Sequence, residues 1–291
     1  MKQAILAAAL LLSVPLVYAQ DGPYTVTKVT PDVTMISGNG VFTGGNVALL
    51  TGKDYRVLID DGLTSFAPTL LDTVAKLAGG PIDFVINTHV HGDHVGGNAA
   101  LDATGAVIFA QDKVRERLLP DPKDAGGKAG LPIVTFPDSM SFHVDGHDLT
   151  AVYVPAAHTD GDSMILFKDI NVIEAGDVLF NGLFPFIDLE SGGSLAGYLD
   201  AQQRVLDLAD DDTLLIPGHG PLAHKADLQA AHDMLLDAKA RVKKLVDAGK
   251  SLDEVLAADP LALYTDKWSW DFITTPRMTT TLYRELSSAP K

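Results

Sequence analysis

Cysteine is absent from the 291-residue chain, so no disulfide staples it and no thiolate can bind a metal or attack a substrate. Stability must come from a core drawn from its 46% hydrophobic residues. Positive charge is also scarce: 22 Lys and Arg stand against 38 Asp and Glu, a formal net charge of −16. DNA, RNA and anionic membrane surfaces select basic patches, and none is visible here. The expected partner is a small-molecule substrate, with no nucleic acid and no membrane. No apolar run beyond the amino-terminal stretch approaches the length needed to cross a bilayer. No internal repeat or linker divides the chain.

The amino-terminal stretch has its own pattern. Met1-Lys2-Gln3 is a short basic start, residues 4–17 are apolar, and Val17-Tyr18-Ala19 offers small residues where a signal peptidase reads. This predicts a signal peptide over residues 1–19, a periplasmic or secreted location, and one domain over 20–291. Removal takes away Lys2 and no acid, moving the charge from −16 to −17. About 270 residues remain, enough for one large α/β domain.

Alternation predicts strands over 24–29, 33–36, 46–51 and 55–59, with a glycine-rich hairpin tip over 38–45 that carries Val41 and Phe42. Apolar positions 70, 71, 74 and 77 predict a helix that Gly79-Gly80-Pro81 stops. A strand over 82–87 follows, then helix, strand and helix over 96–101, 106–109 and 112–119. Residues 120–132, rich in Gly, Pro and Lys, read as an exposed loop. Asp145-Gly146 joins a hairpin, 140–144 with 148–154. Strands over 163–167, 171–174 and 213–216 surround a serine-capped helix over 194–208. A long amphipathic helix over 226–248 and a short one over 277–286 end the chain. The order of sheet then helix occurs twice, which is what two packed sheets with helices on both outer faces would give.

The strand over 82–87 runs into Thr88-His89-Val90-His91-Gly92-Asp93-His94. Imidazole and carboxylate are the donors zinc takes when thiolate is absent. His89 and His91 are two apart, so extended backbone aims both the same way. Three more candidate ligands follow strand ends: His158, Asp177 and His219, each with a glycine close by that lets the backbone approach a ligand or metal. Asp60, at another strand end, reads either as a turn aspartate or, by the family resemblance stated below, as a residue that would orient a metal-bound imidazole. His143, His147 and His232 read as solvated, His224 as leading into a helix, and Ser194 as a cap. Trp268 and Trp270 read as packing for the carboxyl-terminal segment. The apolar run from Phe180 to Asp188 reads either as a pocket wall or as ordinary core.

With His89, His91, Asp93, His94, His158, Asp177 and His219 in this order, the chain resembles the metallo-β-lactamase superfamily over about residues 24–225. The resemblance implies an α/β fold, a four-layer αββα sandwich with a two-metal site at one edge of its sheets. It implies that His89, His91 and His158 hold one metal, that Asp93, His94 and His219 hold the other, and that Asp177 bridges both or binds the second. Two zinc ions ~3.5–4 Å apart can trap a hydroxide for attack on a carbonyl. Asp93 is then the candidate catalytic residue, orienting that hydroxide or moving its proton. Iron or manganese would also suit these donors. An exported compartment and a nitrogen-rich ligand set favour zinc.

The branch is less clear from the resemblance. Members that act on β-lactams usually carry cysteine where Asp177 stands and often lysine three residues later, where this chain has Phe180. The aspartate is similar to that of hydroxyacylglutathione hydrolases and lactonases. The ligand spacings, nineteen residues from His158 to Asp177 and forty-two on to His219, look like those of the β-lactamase branch. The expectation is therefore an exported dinuclear zinc hydrolase of amide or ester-type carbonyls, with β-lactams plausible substrates. A lactonase, a thioester hydrolase, or a non-hydrolytic iron or metal-binding member are the alternatives.

Overall fold

The computed structural model describes residues 17–19 and 22–288. Most of the predicted signal peptide therefore lies outside the described residues. The first sheet runs in chain order through β1 (Val17–Ala19), β2 (Tyr24–Lys28), β3 (Val33–Gly38), β4 (Val47–Thr51), β5 (Arg56–Ile59), β6 (Phe84–Asn87), β7 (Val107–Gln111) and β8 (Val134–Phe136). It is antiparallel up to β5 and parallel from β5 to β8. The second sheet contains β9 (Ser139–Val144), β10 (His147–Val154), β11 (Asp162–Phe167), β12 (Val172–Phe180), β13 (Leu214–His219) and β14 (Ala223–His224). Its one parallel pairing, β12 with β13, lies beside the site described below.

The helices are α1 (Ala67–Ala78), α2 (Gly92–Val95), α3 (Asn98–Asp102), α4 (Asp112–Leu118), α5 (Leu195–Leu208), α6 (Lys225–Asp247), α7 (Leu252–Ala258), α8 (Thr265–Trp268) and α9 (Thr275–Ser288).

Four layers follow from the period of two in the strands. In β4, Ala48 and Leu50 face the gap between the sheets, where they meet Phe142, Leu149, Ile165, Phe167 and Ile216 of the second sheet. Val47 and Leu49 of the same strand face outward and pack with Leu70 and Val74 of α1. In the second sheet, Ile165 and Ile216 point inward, whereas Met164 and Leu215 point outward among residues of α5, α6 and α9. Both faces of each sheet are thus apolar, and each fully buried Leu, Ile or Val contributes roughly 1.5–3 kcal/mol. This is the αββα sandwich expected from the sequence.

Several local expectations give way. The helix predicted over 96–101 is α3, over Asn98–Asp102, and a separate single turn before it, α2, takes in Asp93 and His94. The strand predicted over 171–174 continues as β12 to Phe180 with shifts of register, so Asp177 lies within it. The loop over 120–132 is not wholly exposed: Ala125 and Leu131 pack with Val95, Val114 and Leu118. His232 is 7% exposed rather than solvated. Helix α6 contacts both α5 and α9, so its buried arc is wider than one apolar stripe. His147 is mostly covered because its Nδ1 lies 2.6 Å from Asp169 Oδ2.

Candidate metal centre

All seven residues singled out from the sequence converge where the two sheets meet. Strand β6 ends at Asn87, and the bend over 88–90 that follows delivers His89 and, in an extended conformation, His91. His91 is the N-cap of α2, and its carbonyl accepts from the amides of His94 and Val95. That single turn swings Asp93 and His94 to the neighbouring side of the cluster. His158 comes from the connection between β10 and β11, Asp177 from β12, and His219 from the last position of β13. Placing the site beyond the carboxyl ends of β6 and β13 follows the rule for open parallel sheets.

The donors fall into two groups. In the first, His91 Nδ1 lies 2.8 Å from His158 Nε2, and Asp177 Oδ2 is 3.3 Å from His158 Nε2 and 3.7 Å from His89 Nε2. In the second, Asp177 Oδ1 is 3.2 Å from His94 Nε2 and 3.5 Å from His219 Nε2. Asp93 Oδ2 completes that group at 3.3 Å from His219 Nε2. In the first group with Asp177, and among Asp93, His94 and His219 of the second, the donor atoms lie inside 4.8 Å of one another, a spread one ion can span. Asp177 turns one oxygen to each.

Most of the imidazoles have their far nitrogen engaged, so the near one is left for a metal. His94 Nδ1 donates to Asp60 Oδ2 at 2.7 Å, and His158 Nδ1 donates to the Phe186 carbonyl at 2.7 Å. His89 Nδ1 lies 3.0 Å from Thr88 Oγ1, which itself donates to Asp60 Oδ2 at 2.7 Å. Asp60 therefore holds His94 directly and His89 through one hydroxyl, the role anticipated for it. His91 Nε2 meets Asp188 Oδ2 at 3.0 Å. The fit to a metal shows in what is left over: His89 Nε2 and Asp177 Oδ1 are buried with no hydrogen-bond partner. Such atoms are costly unless a cation takes them up.

Electrostatics separates the groups further. Burial pushes the His89 and His158 imidazoles down, His158 to about 4, so both are neutral and ready to ligate. Burial also opposes charge on His94 and His219, but Asp177, aided by Asp93, outweighs it and lifts His219 to about 9. Burial alone would raise Asp93; His94 and His219 reverse that and hold it at about 2. The Asp177 carboxyl, despite burial, is held well below its ordinary value, chiefly by the imidazoles of His94 and His219.

Glycine makes room for this crowding. A Cβ on Gly45 would collide with the His94 ring, and one on Gly218 with Asp177 Oδ1.

The cluster floors a cavity of about 870 Å³. His91, Asp93, Asp177 and His219 face it from below, and Phe42, Phe180, Phe186, Trp270 and Phe272 wall it. The apolar run after Asp177 is thus divided: Phe180 and Phe186 line the cavity, while Phe184 and Ile187 are core. Asn181 donates one of its two amide hydrogens to the Pro221 carbonyl and is not among the residues that line the cavity. Ser194 caps α5, accepting from the Gly197 amide.

Two features escaped the sequence. Asp188 is the single charge in an apolar run, a signal that could have been weighed. Trp270 and Phe272 reach the cavity only through tertiary packing, and Trp270 was read as packing alone.

Known proteins are similar to this chain. The model of the metallo-beta-lactamase superfamily matches residues 40–219. A beta-lactamase-like protein 2 homolog from Caenorhabditis elegans is 26% identical over 241 residues, covering 80% of this chain and 76% of that protein. A hydroxyacylglutathione hydrolase from a Polaromonas species is 31% identical over 148 residues, 50% of this chain and 51% of its own length. Among solved structures, a metallo-beta-lactamase from Pontibacter korlensis superposes with a TM-score of 0.63 at 20% identity, covering 74% of this chain and 99% of that one.

Proposed function

The chain belongs to the metallo-beta-lactamase superfamily, and from that premise we propose that it is an exported dinuclear zinc hydrolase of a small-molecule ester-type or amide carbonyl. One observation carries the reading: the two oxygens of Asp177 address two separate groups of imidazoles within one buried cluster. His89, His91 and His158 would hold one ion, Asp93, His94 and His219 the other, and Asp177 both. Zinc ions bound there supply Lewis acidity, polarising a carbonyl oxygen and bringing the pKa of a water towards ~7.

The chain's own groups do the rest. Asp93 stays ionised and faces the cavity, so it accepts a hydrogen bond from the attacking water and orients it. Asp60 and Thr88 keep His94 and His89 in the tautomers that leave Nε2 free. Asp188 and the Phe186 carbonyl do the same for His91 Nδ1 and His158 Nε2.

Asp177 in place of the cysteine usual among β-lactam hydrolases supports an ester, lactone or thioester ahead of a β-lactam. The likeness to a hydroxyacylglutathione hydrolase supports the same order. Export rests on the leader pattern of residues 1–19.

The test is a hydrolysis panel on the zinc-loaded mature chain: a chromogenic cephalosporin, lactones, a glutathione thioester, an aryl ester, an aryl phosphodiester and an aryl sulfate. The reading expects turnover of a carbonyl substrate that is lost in His91→Ala and Asp177→Ala. A zinc-loaded protein inert across the panel would overturn it.

A further inference from the structure

The wall of the cavity is a continuous arc of rings. Phe186 meets Phe272 at 5.2 Å between centroids, Phe272 meets Trp270 at 5.6 Å, and Trp270 meets Phe180 at 6.1 Å. Phe180 stacks on His219 at 4.9 Å, which Phe42 also faces at 6.0 Å. Phe186 in turn stacks on His91 at 5.7 Å, so the arc touches the ligand cluster at both ends and its outermost ring is Phe272. Phe42 and Phe272 are 57% and 45% exposed, more than large aromatic rings usually remain without a partner.

Its far side is held in place. Trp270 Nε1 donates to the Phe184 carbonyl at 2.9 Å, which satisfies the indole and leaves its ring to the cavity. The Arg277 guanidinium lies 4.0 Å from the Phe272 ring centroid and 5.2 Å from that of Phe186, and donates to the Phe272 carbonyl. Arg277 thus clamps the rings from outside the cavity lining. Both Trp270 and Phe272 lie beyond residues 40–219, the part that matches the superfamily model.

Charge at the mouth narrows the ligand. Asp124 and Asp271 line the cavity besides the candidate ligands, and Lys123 is the one cation among the described lining residues. Its ammonium lies 3.3 Å from Asp121.

Resting on the hydrolase reading above, we propose that the arc closed by Trp270 and Phe272 binds the uncharged apolar tail of the substrate. The substrate class is then a neutral carboxylic ester whose acyl part is a medium-length alkyl chain. The carbonyl lies over the ligand cluster, and the tail runs along Phe180, Trp270, Phe272 and Phe186.

The experiment uses the full mature chain loaded with zinc and para-nitrophenyl acetate, butanoate, hexanoate and octanoate. Each buried methylene is expected to raise kcat/KM about fourfold until the arc is filled. The octanoate-to-acetate ratio collapses towards one in Trp270→Ala and Phe272→Ala and survives in Trp270→Phe, whose ring keeps the wall apolar. A para-nitrophenyl ester of the same length ending in carboxylate is expected to react at least about tenfold more slowly than the octanoate.

Binding is read separately by tryptophan fluorescence. Octanamide gives a saturable change and acetamide none, and the octanamide response is lost in Trp270→Phe. Octanamide binding with no turnover of these esters or of any substrate in the hydrolysis panel would keep the wall and sink the hydrolase reading. Turnover with a flat chain-length profile, or equal turnover of the carboxylate-ended ester, would overturn the proposal.

Discussion

Asp60→Asn replaces one atom and should disturb both halves of the metal centre. Asp60 is fully buried, and its φ of 59° lies in the left-handed region that Asn tolerates as well as Asp. The backbone therefore stays put. Oδ1 accepts from the Thr88 amide at 2.7 Å, while Oδ2 accepts from the Thr88 hydroxyl and His94 Nδ1, both at 2.7 Å. An amide can present its oxygen to only one side. If the oxygen keeps the Thr88 amide, the NH2 faces His94 and drives its proton to Nε2, the atom wanted by the metal. The Thr88 hydroxyl must also turn, and His89 loses the acceptor that fixes its tautomer. If the amide flips, two buried N–H groups confront each other instead. The unflipped amide leaves the metal-facing Nε2 protonated, and the flipped one leaves a buried donor unpaired, which costs about 1–3 kcal/mol. That corresponds to a fall in Tm of roughly 2–4 °C per kcal/mol for a domain of this size.

Loss of an outer hydrogen bond to a ligand typically costs 10–100-fold in metal affinity, about 1.4–2.7 kcal/mol. Competition for zinc with a chromophoric chelator measures that, with circular dichroism to confirm folding. The second ion, which depends on His94 directly, should weaken more than the first. Two zinc ions bound to Asp60→Asn with unchanged affinity and unchanged Tm would refute the reasoning.

Two further outcomes follow from other buried positions. Glu174 is fully buried with Oε2 unpartnered, and burial, helped by Asp60, lifts its carboxyl well above the ordinary 4.5. A raised carboxyl binds its proton more tightly folded than unfolded, so its penalty is absent below pH 4.5 and grows as pH rises towards the folded value. Relative to wild type, Glu174→Gln should therefore gain about 1.4 kcal/mol per pH unit across that window; denaturant melts at pH 5 and pH 8 with an equal difference at both would count against this. Gly45→Ala drives a methyl into the His94 ring and should cut zinc content towards one ion per chain, with a lower Tm; an unaltered metal content measured by elemental analysis would show that the loop simply yields.

What could be read from the sequence was whatever repeats with a fixed period or pairs a residue type with a chemistry. The strands and long helices came from alternation and from stripes such as Leu70 and Val74 in α1. The seven donors came from imidazoles and carboxylates at strand ends, and Asp60 from its place after β5. The parts that escaped depend on distance in space. His232 is buried because two helices cover α6, a fact no single-helix pattern contains. Trp270 and Phe272 stand more than fifty residues beyond His219, and only the packing of α8 and α9 returns them to the cavity. Asp188 pairs with His91 across ninety-seven residues.

The central claim is that Asp177 lets one cluster hold two ions. Elemental analysis of the zinc-saturated, desalted mature chain tests it most directly, with wild type beside Asp177→Ala. The account predicts about two zinc ions per wild-type chain and no more than one in Asp177→Ala, the fold being retained by circular dichroism. A wild-type chain that keeps one ion or none, or an Asp177→Ala chain that keeps both, would contradict it.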